Sequence, residues 1–144
     1  MAISSQVVID CADPTRLTEF WAVALDYIPE PPPDGFNSWE DWLRANDIPE
    51  SDWNSAGAIV DPEGVRQRIY FQRVPEQKSV KNRVHLDVNA GGPRGTPADE
   101  RWTLVVAHSK KCVGAGATIL REVQEAGSHW YVMQDPEGNE FCIQ

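Results

Sequence analysis

The tetrapeptide Asp-Pro-Glu-Gly occurs twice in this chain, at Asp61–Gly64 and at Asp135–Gly138. Asp at the first position, Pro at the second and Gly at the fourth is the chemistry of a type I turn. Each copy stands between runs that alternate apolar and polar residues: Ala56–Val60 and Arg68–Gln72 around the first, His129–Gln134 and Glu140–Gln144 around the second. Such runs flanking such a turn predict a β-hairpin. The same hairpin stated twice, half a chain apart, predicts an internal duplication, and two like halves are expected to enclose a pocket.

Each half repeats more than its hairpin. Gln6–Cys11 alternates strictly, with Val7, Ile9 and Cys11 on one face and Gln6, Val8 and Asp10 on the other, as a half-buried strand does. Asp13 and Pro14 supply an N-cap and a first helical residue. Leu17, Phe20, Trp21, Ala24 and Leu25 then form one helical stripe, ending where Asp26 can take a left-handed conformation. The second half opens with Val84–Val88, in which Val84, Leu86 and Val88 oppose His85, Asp87 and Asn89. After the Gly91–Pro97 loop, Thr96 as N-cap, Pro97 as first helical residue, and Asp99 and Glu100 in the first turn start a helix. Lys110 and Lys111 suit its C-terminus, Gly114–Gly116 ends it, Ala117–Val123 reads as a strand and Gln124–Ser128 as a turn.

The expected fold is α+β: a single domain over 1–144 built of two βαβββ modules, 1–77 and 82–144, joined by the polar stretch Arg73–Asn82. Only two helices are available to cover roughly eight strands, and twisted sheets of that size curl. A curved, mostly antiparallel sheet with its helices outside leaves a concave inner wall, the usual form of a ligand site. Glu30–Asn54 breaks the duplication. It carries Trp39, Trp42 and Trp53, expected either to staple a long loop to the core or, as a lid, to line the pocket mouth.

With 22 acidic and 13 basic residues the formal charge is −9. That balance argues against nucleic acid or an anionic membrane as partner and suits a neutral or cationic small molecule. Cys11, Cys112 and Cys142 are widely spaced, and MAISSQVVID has neither a basic start nor a long apolar run. The expected location is cytoplasmic, with reduced thiols.

On the expected sheet, Val7, Ile9, Ile69, Phe71, Val84, Leu86, Phe141 and Ile143 face the helices. The opposite wall collects Gln6, Asp10, Tyr70, Gln72, His85, Asp87, Glu140, Cys142 and Gln144; of these Gln6, Asp10, Tyr70, Gln72, Asp87, Glu140 and Cys142, with Trp39 and Trp42, are the candidate ligand contacts. His85 is a candidate general base beside Asp87, or a histidine that satisfies a neighbouring carboxylate or carbonyl. Cys142 reads as a small buried apolar group or as a nucleophile. For His108 and His129 the sequence names no partner.

The duplication, together with IDCADPTRLTEFWAVAL at 9–25, NRVHLDV at 82–88 and DPEGNEFCIQ at 135–144, resembles the vicinal oxygen chelate superfamily in its glyoxalase-like, bleomycin-resistance-like branch. The resemblance covers nearly the whole chain outside 30–54. It implies a homodimer, and a fold that hosts isomerases, ring-cleaving dioxygenases, epoxide-opening transferases and drug binders. In metal-using members, the first strand of each half gives His or Gln and the last strand gives Glu. These positions fall here on Gln6, His85, Tyr70 and Cys142, so both carboxylates are replaced. Ionising an ordinary thiol at pH 7 costs about 2 kcal/mol and a phenol about 4, whereas a carboxylate is already charged. The expectation is therefore a small-molecule binding protein with a degenerate metal site and no cofactor. The alternative is a lyase, isomerase or other enzyme of the same fold, using Zn, Ni, Fe or Mn or using His85 as base.

Overall fold

Each half of the chain folds as a strand, a helix and three further strands. The computed structural model describes residues 1–144. The first half contains β1 (Val7–Cys11), α1 (Pro14–Leu25), β2 (Ile28–Pro29), α2 (Trp39–Ala45), β3 (Ala56–Val60) and β4 (Ile69–Arg73). The second contains β5 (Asp87–Val88), α3 (Ala98–Gly114), β6 (Thr118–Glu125), β7 (Ser128–Gln134) and β8 (Glu140–Ile143). They form two open four-stranded sheets of the same plan, ordered β1-β4-β3-β2 and β5-β8-β7-β6. In each, the first strand runs parallel to the last and the other ladders are antiparallel. The contact pattern divides the chain into unit one, Met1–Ala22 with Asp26–Gln77, and unit two, Val23–Leu25 with Lys78–Gln144.

In unit one, Leu17, Phe20 and Trp21 of α1 are buried, as are Ile59, Ile69 and Phe71 of the sheet. The helix starts and ends where its sequence indicates. Asp13 accepts hydrogen bonds from Arg16 N at 3.2 Å and Asn54 Nδ2 at 2.9 Å, while Asn54 Oδ1 accepts from Thr15 N and Oγ1. Asp26 ends the helix at φ 55°. Where α1 meets β3 the approach is very close: a Cβ on Gly57 would lie 2.4 Å from Thr18 Oγ1. That hydroxyl is buried without a hydrogen-bond partner.

In unit two, α3 packs on β6, β7 and β8 and buries Val105, Ser109 and Cys112 against a sheet face carrying Val88, Met133, Phe141 and Ile143. The helix begins one residue later than expected: Pro97 is the N-cap, and the Thr96 hydroxyl instead donates to Pro93 O at 2.8 Å. Val84 also departs from expectation, being 81% exposed rather than facing the helix. The register Asp87↔Cys142 puts Val84 opposite Asn139, which lies in the turn before β8 and offers no ladder. Pairing reaches back only to Leu86, whose carbonyl accepts from Cys142 N at 3.0 Å.

Both Asp-Pro-Glu-Gly segments are the turns their chemistry requires. Gly64 N donates to Asp61 O and Gly138 N to Asp135 O, each at 2.9 Å. The Asp carboxylates accept from Glu63 N and Glu137 N two residues on. At Asp61 that backbone bond, with others from Arg66 and Val65, holds the carboxyl below its ordinary range although burial opposes it. The β6–β7 turn is tighter than the sequence suggests, because the ladder runs to Glu125↔Ser128 and leaves only Ala126 and Gly127 in the loop. Both have positive φ, 49° and 79°, as in a type I′ turn. Ala at such a position is unusual, which is why the turn is hard to read from composition.

Two stability outcomes follow. Ala126→Asn should raise the urea midpoint by an amount worth about 0.5–1 kcal/mol, since Asn tolerates the left-handed region that Ala resists. Gly57→Ala should cost about 1–3 kcal/mol by overpacking, and most of that loss should vanish in a Thr18→Ala background, measured as a double-mutant cycle. Strict additivity of the two would refute the assigned clash.

Candidate functional site

The register of unit two carries four side chains across all four strands in one row. Arg121 of β6 pairs with Val132 of β7, Val132 with Cys142 of β8, and Cys142 with Asp87 of β5. Directly paired residues share a face, and this is the face away from α3, since Met133 and Phe141, one residue along, lie in the core. His85 precedes Asp87 by two residues, and its Nε2 lies 3.4 Å from Asp87 Oδ1. Ligating atoms of His85, Asp87 and Cys142 all lie within 4.8 Å of one another. His85 and Asp87 are exposed and Cys142 is half-buried.

Cys142 is held as a thiol. Burial pushes its pKa up, and so do the Asp87 charge and the hydrogen bond the thiol makes to Asp87. The Lys81 and Arg121 charges oppose this less strongly. The cluster thus offers a thiol donor, a carboxylate acceptor and an imidazole within the reach of one small polar group.

Two residues expected to contact a ligand have other duties. Glu140 is nearly covered, with Lys78 Nζ 3.1 Å from Oε2 and Asn82 N donating to Oε2 at 2.9 Å. Lys78 also donates to Val80 O. Glu140 therefore ties the segment between the modules to the start of β8. In unit one, Tyr70 pairs with Val8 and Ala58, and Asp10 with Gln72, so these five strand positions do share a face. The Tyr70 ring, however, lies under Arg68, 5.1 Å from its guanidinium carbon. Arg68 is itself clamped by Glu30 through two bonds of 2.6 and 2.7 Å, which raise its pKa despite burial. Gln6 is exposed and immediately precedes β1.

The Trp-rich segment is anchored through its own polar groups. Trp39 Nε1 donates to Glu30 O at 2.7 Å and Trp53 Nε1 to Ile48 O at 2.9 Å. Trp39 and Trp42 meet edge to face at 5.7 Å, and Arg44 lies over Trp53. The remaining histidines have partners the sequence does not announce. His108 Nε2 is 2.8 Å from Ala24 O. His129 stacks on Trp102 with centroids 3.3 Å apart and pairs with Glu122 at 2.6 Å. These groups meet on the α3 side of the sheet, opposite Cys142.

The glyoxalase-like domain family model matches residues 6–144. The chain belongs to this family, within the vicinal oxygen chelate superfamily. No match is found among curated proteins. Among solved structures, fosfomycin resistance protein FosX from Listeria monocytogenes is similar at TM-score 0.65 and 9% identity, covering 100% of this chain and 93% of that one. A FosX variant from the same organism, complexed with Mn(II) and 1S,2S-dihydroxypropylphosphonic acid, is similar at TM-score 0.62 and 10% identity, covering 100% and 90%. A glyoxalase/bleomycin resistance protein/dioxygenase family enzyme from Burkholderia phytofirmans PsJN gives TM-score 0.57 and 18% identity, covering 96% and 94%. At such identities the likeness establishes the fold.

The donors present define which metal would fit. His85, Asp87 and Cys142 supply one nitrogen, one carboxylate oxygen and one sulfur. A thiolate and an imidazole suit Zn²⁺, whereas Mn²⁺ favours oxygen ligands. Zn²⁺ held by these three would supply Lewis acidity and would draw the proton from Cys142.

The Glu140 anchor gives a pH signature. Burial raises its pKa, but the Asn82 amide, its own amide and Lys78 outweigh that, so the folded value lies below the ordinary 4.5. The stabilisation is therefore complete above about pH 4.5 and is lost as pH falls through the folded value. Urea unfolding of wild type and Glu140→Gln should differ at pH 6 and converge towards pH 3. A gap that is constant over this range would rule out the ion pair as its source.

Proposed function

We propose that this protein binds a small organic molecule on the polar face of unit two, with His85, Asp87 and Cys142 as its anchoring groups and with a metal site that is degenerate by comparison with carboxylate-bearing relatives. The observation that carries this reading is the Asp87–Cys142 pair. At the position where the resemblance expects a metal-binding Glu stands a thiol, which donates to Asp87 and is held in its protonated form. Such a thiol is a poor metal ligand until something draws off its proton, but it is a ready hydrogen-bonding partner beside a carboxylate and an imidazole. The small organic molecule bound by the FosX variant supports a ligand of similar size here.

A second reading, an enzyme acting on a small organic substrate, is favoured by the same cluster. Three donors within 4.8 Å are close enough to take one divalent cation, and His85 beside Asp87 is placed to accept a proton. Elemental analysis of protein purified without chelator separates the two. The binder reading expects transition metal well below one equivalent, unchanged in Cys142→Ser. Near-stoichiometric Zn that is lost in both Cys142→Ser and His85→Ala would establish the metal site and overturn the degenerate-site reading.

A further inference from the structure

We propose that Arg121 is the anion-recognising residue of this site, so that its ligands are small organic anions with a carboxylate or similar group at one end. The inference rests on the reading of the unit-two face as the ligand site. It starts from the row Arg121–Val132–Cys142–Asp87, which places a cation at one end, an aliphatic side chain beside it, and hydrogen-bonding groups at the other end. Strands lie about 4.8 Å apart, so the backbones of Arg121 and Cys142 are separated by about 10 Å, a span that an arginine side chain can largely bridge. The Arg121 charge also acts on the Cys142 thiol, in the direction that lowers its pKa.

Arg121 faces this way because the ladder keeps one register from the β6–β7 turn, Glu125↔Ser128, through to Arg121↔Val132, and becomes irregular only beyond it. The register passes from Ile119↔Met133 to Arg121↔Val132, two steps on β6 against one on β7, which leaves Leu120 as an extra residue. The next residue, Glu122, faces the α3 side, where it pairs with His129. Nor is Arg121 committed elsewhere. Among the cations around the candidate residues, Arg68 holds Glu30, Lys78 holds Glu140, and Lys81 donates to Asn82 O. The guanidinium of Arg121 engages no carboxylate and no carbonyl, although Asp87 and Cys142 lie along its own row. A planar cation with five donors suits a carboxylate in two-point contact. The formal charge of −9 opposes anions at long range. Screening over about 8 Å at physiological salt leaves the local cation to decide.

Cys142 reports on this charge directly. Iodoacetate and iodoacetamide present the same electrophilic carbon and differ by one negative charge. With either, the Cys142 thiolate forms a C–S bond as the C–I bond breaks; iodide leaves with the bonding pair and the thiol proton goes to solvent. Both consume the same thiolate, so the ratio of their rate constants at Cys142 is independent of thiol ionisation. Pulse labelling of the full chain, read by peptide mass spectrometry, follows Cys142 while buried Cys11 and Cys112 serve as internal controls. Arg121→Gln should lower the iodoacetate-to-iodoacetamide ratio by roughly threefold to tenfold, Arg121→Lys should keep most of it, and 1 M salt should erase the difference. An unchanged ratio in Arg121→Gln overturns the role of Arg121 and leaves the ligand face standing. Failure of both reagents to label native Cys142 overturns the face itself, and the proposal with it.

Discussion

The architecture depends on the parallel pairing of each unit's first strand with its last. Parallel neighbours cannot be joined by a hairpin, so the chain must leave the sheet, run through a helix and return. In unit two that crossover is α3, and the side of the sheet it covers becomes the core. The polar residues of β5 and β8 are then obliged to gather on the other side. The Asp87–Cys142 pair arises from this pairing alone: residues 55 positions apart in sequence meet because β5 and β8 share a register. A shift of β5 by one residue against β8, which β7 also holds, would send Asp87 under the helix and leave Cys142 where it is.

Much of this plan was legible in the chain. The two Asp-Pro-Glu-Gly turns, the Asp13 and Asp26 ends of α1, and the apolar stripes of the strands are local chemistry, and local chemistry can be read from a short window. Most of the misreadings turn on residues distant in sequence; Thr96 is the exception, its acceptor lying three residues back. Val84 has the right alternation but no strand opposite it, because β8 starts at Glu140. Thr96 has the right composition for a cap but bonds backwards to Pro93. Glu140 looks like a wall residue until Lys78 and Asn82 are seen to close on it. His129 has no visible partner until α3 brings Trp102 over it.

The candidate site shows how the same sheet position changes its chemistry with the residue it holds. A carboxylate at position 142 would stand ionised beside Asp87, and two like charges at that range favour a cation between them. A thiol there removes one charge and donates to the other. The surrounding field is then set by Asp87, opposed less strongly by Lys81 and Arg121, and the protonated thiol leaves hydrogen bonding as the main resource of the face. The three donors can still close on a soft cation, so the face lies between two chemistries, and one proton on sulfur separates them.

The extra residue in β6 extends this point beyond the site. β6 is an outer strand, held by β7 alone, and Leu120 projects from it 48% exposed. Insertions and deletions are tolerated best where one neighbour must adjust rather than two. Gain or loss of a single residue here would turn over the side chains of the strand's beginning while the other three strands kept their places. Relatives built on this plan thus have a route to altered ligand preference that bypasses point substitution: the outermost strand slides, like a vernier, against a frame that stays fixed.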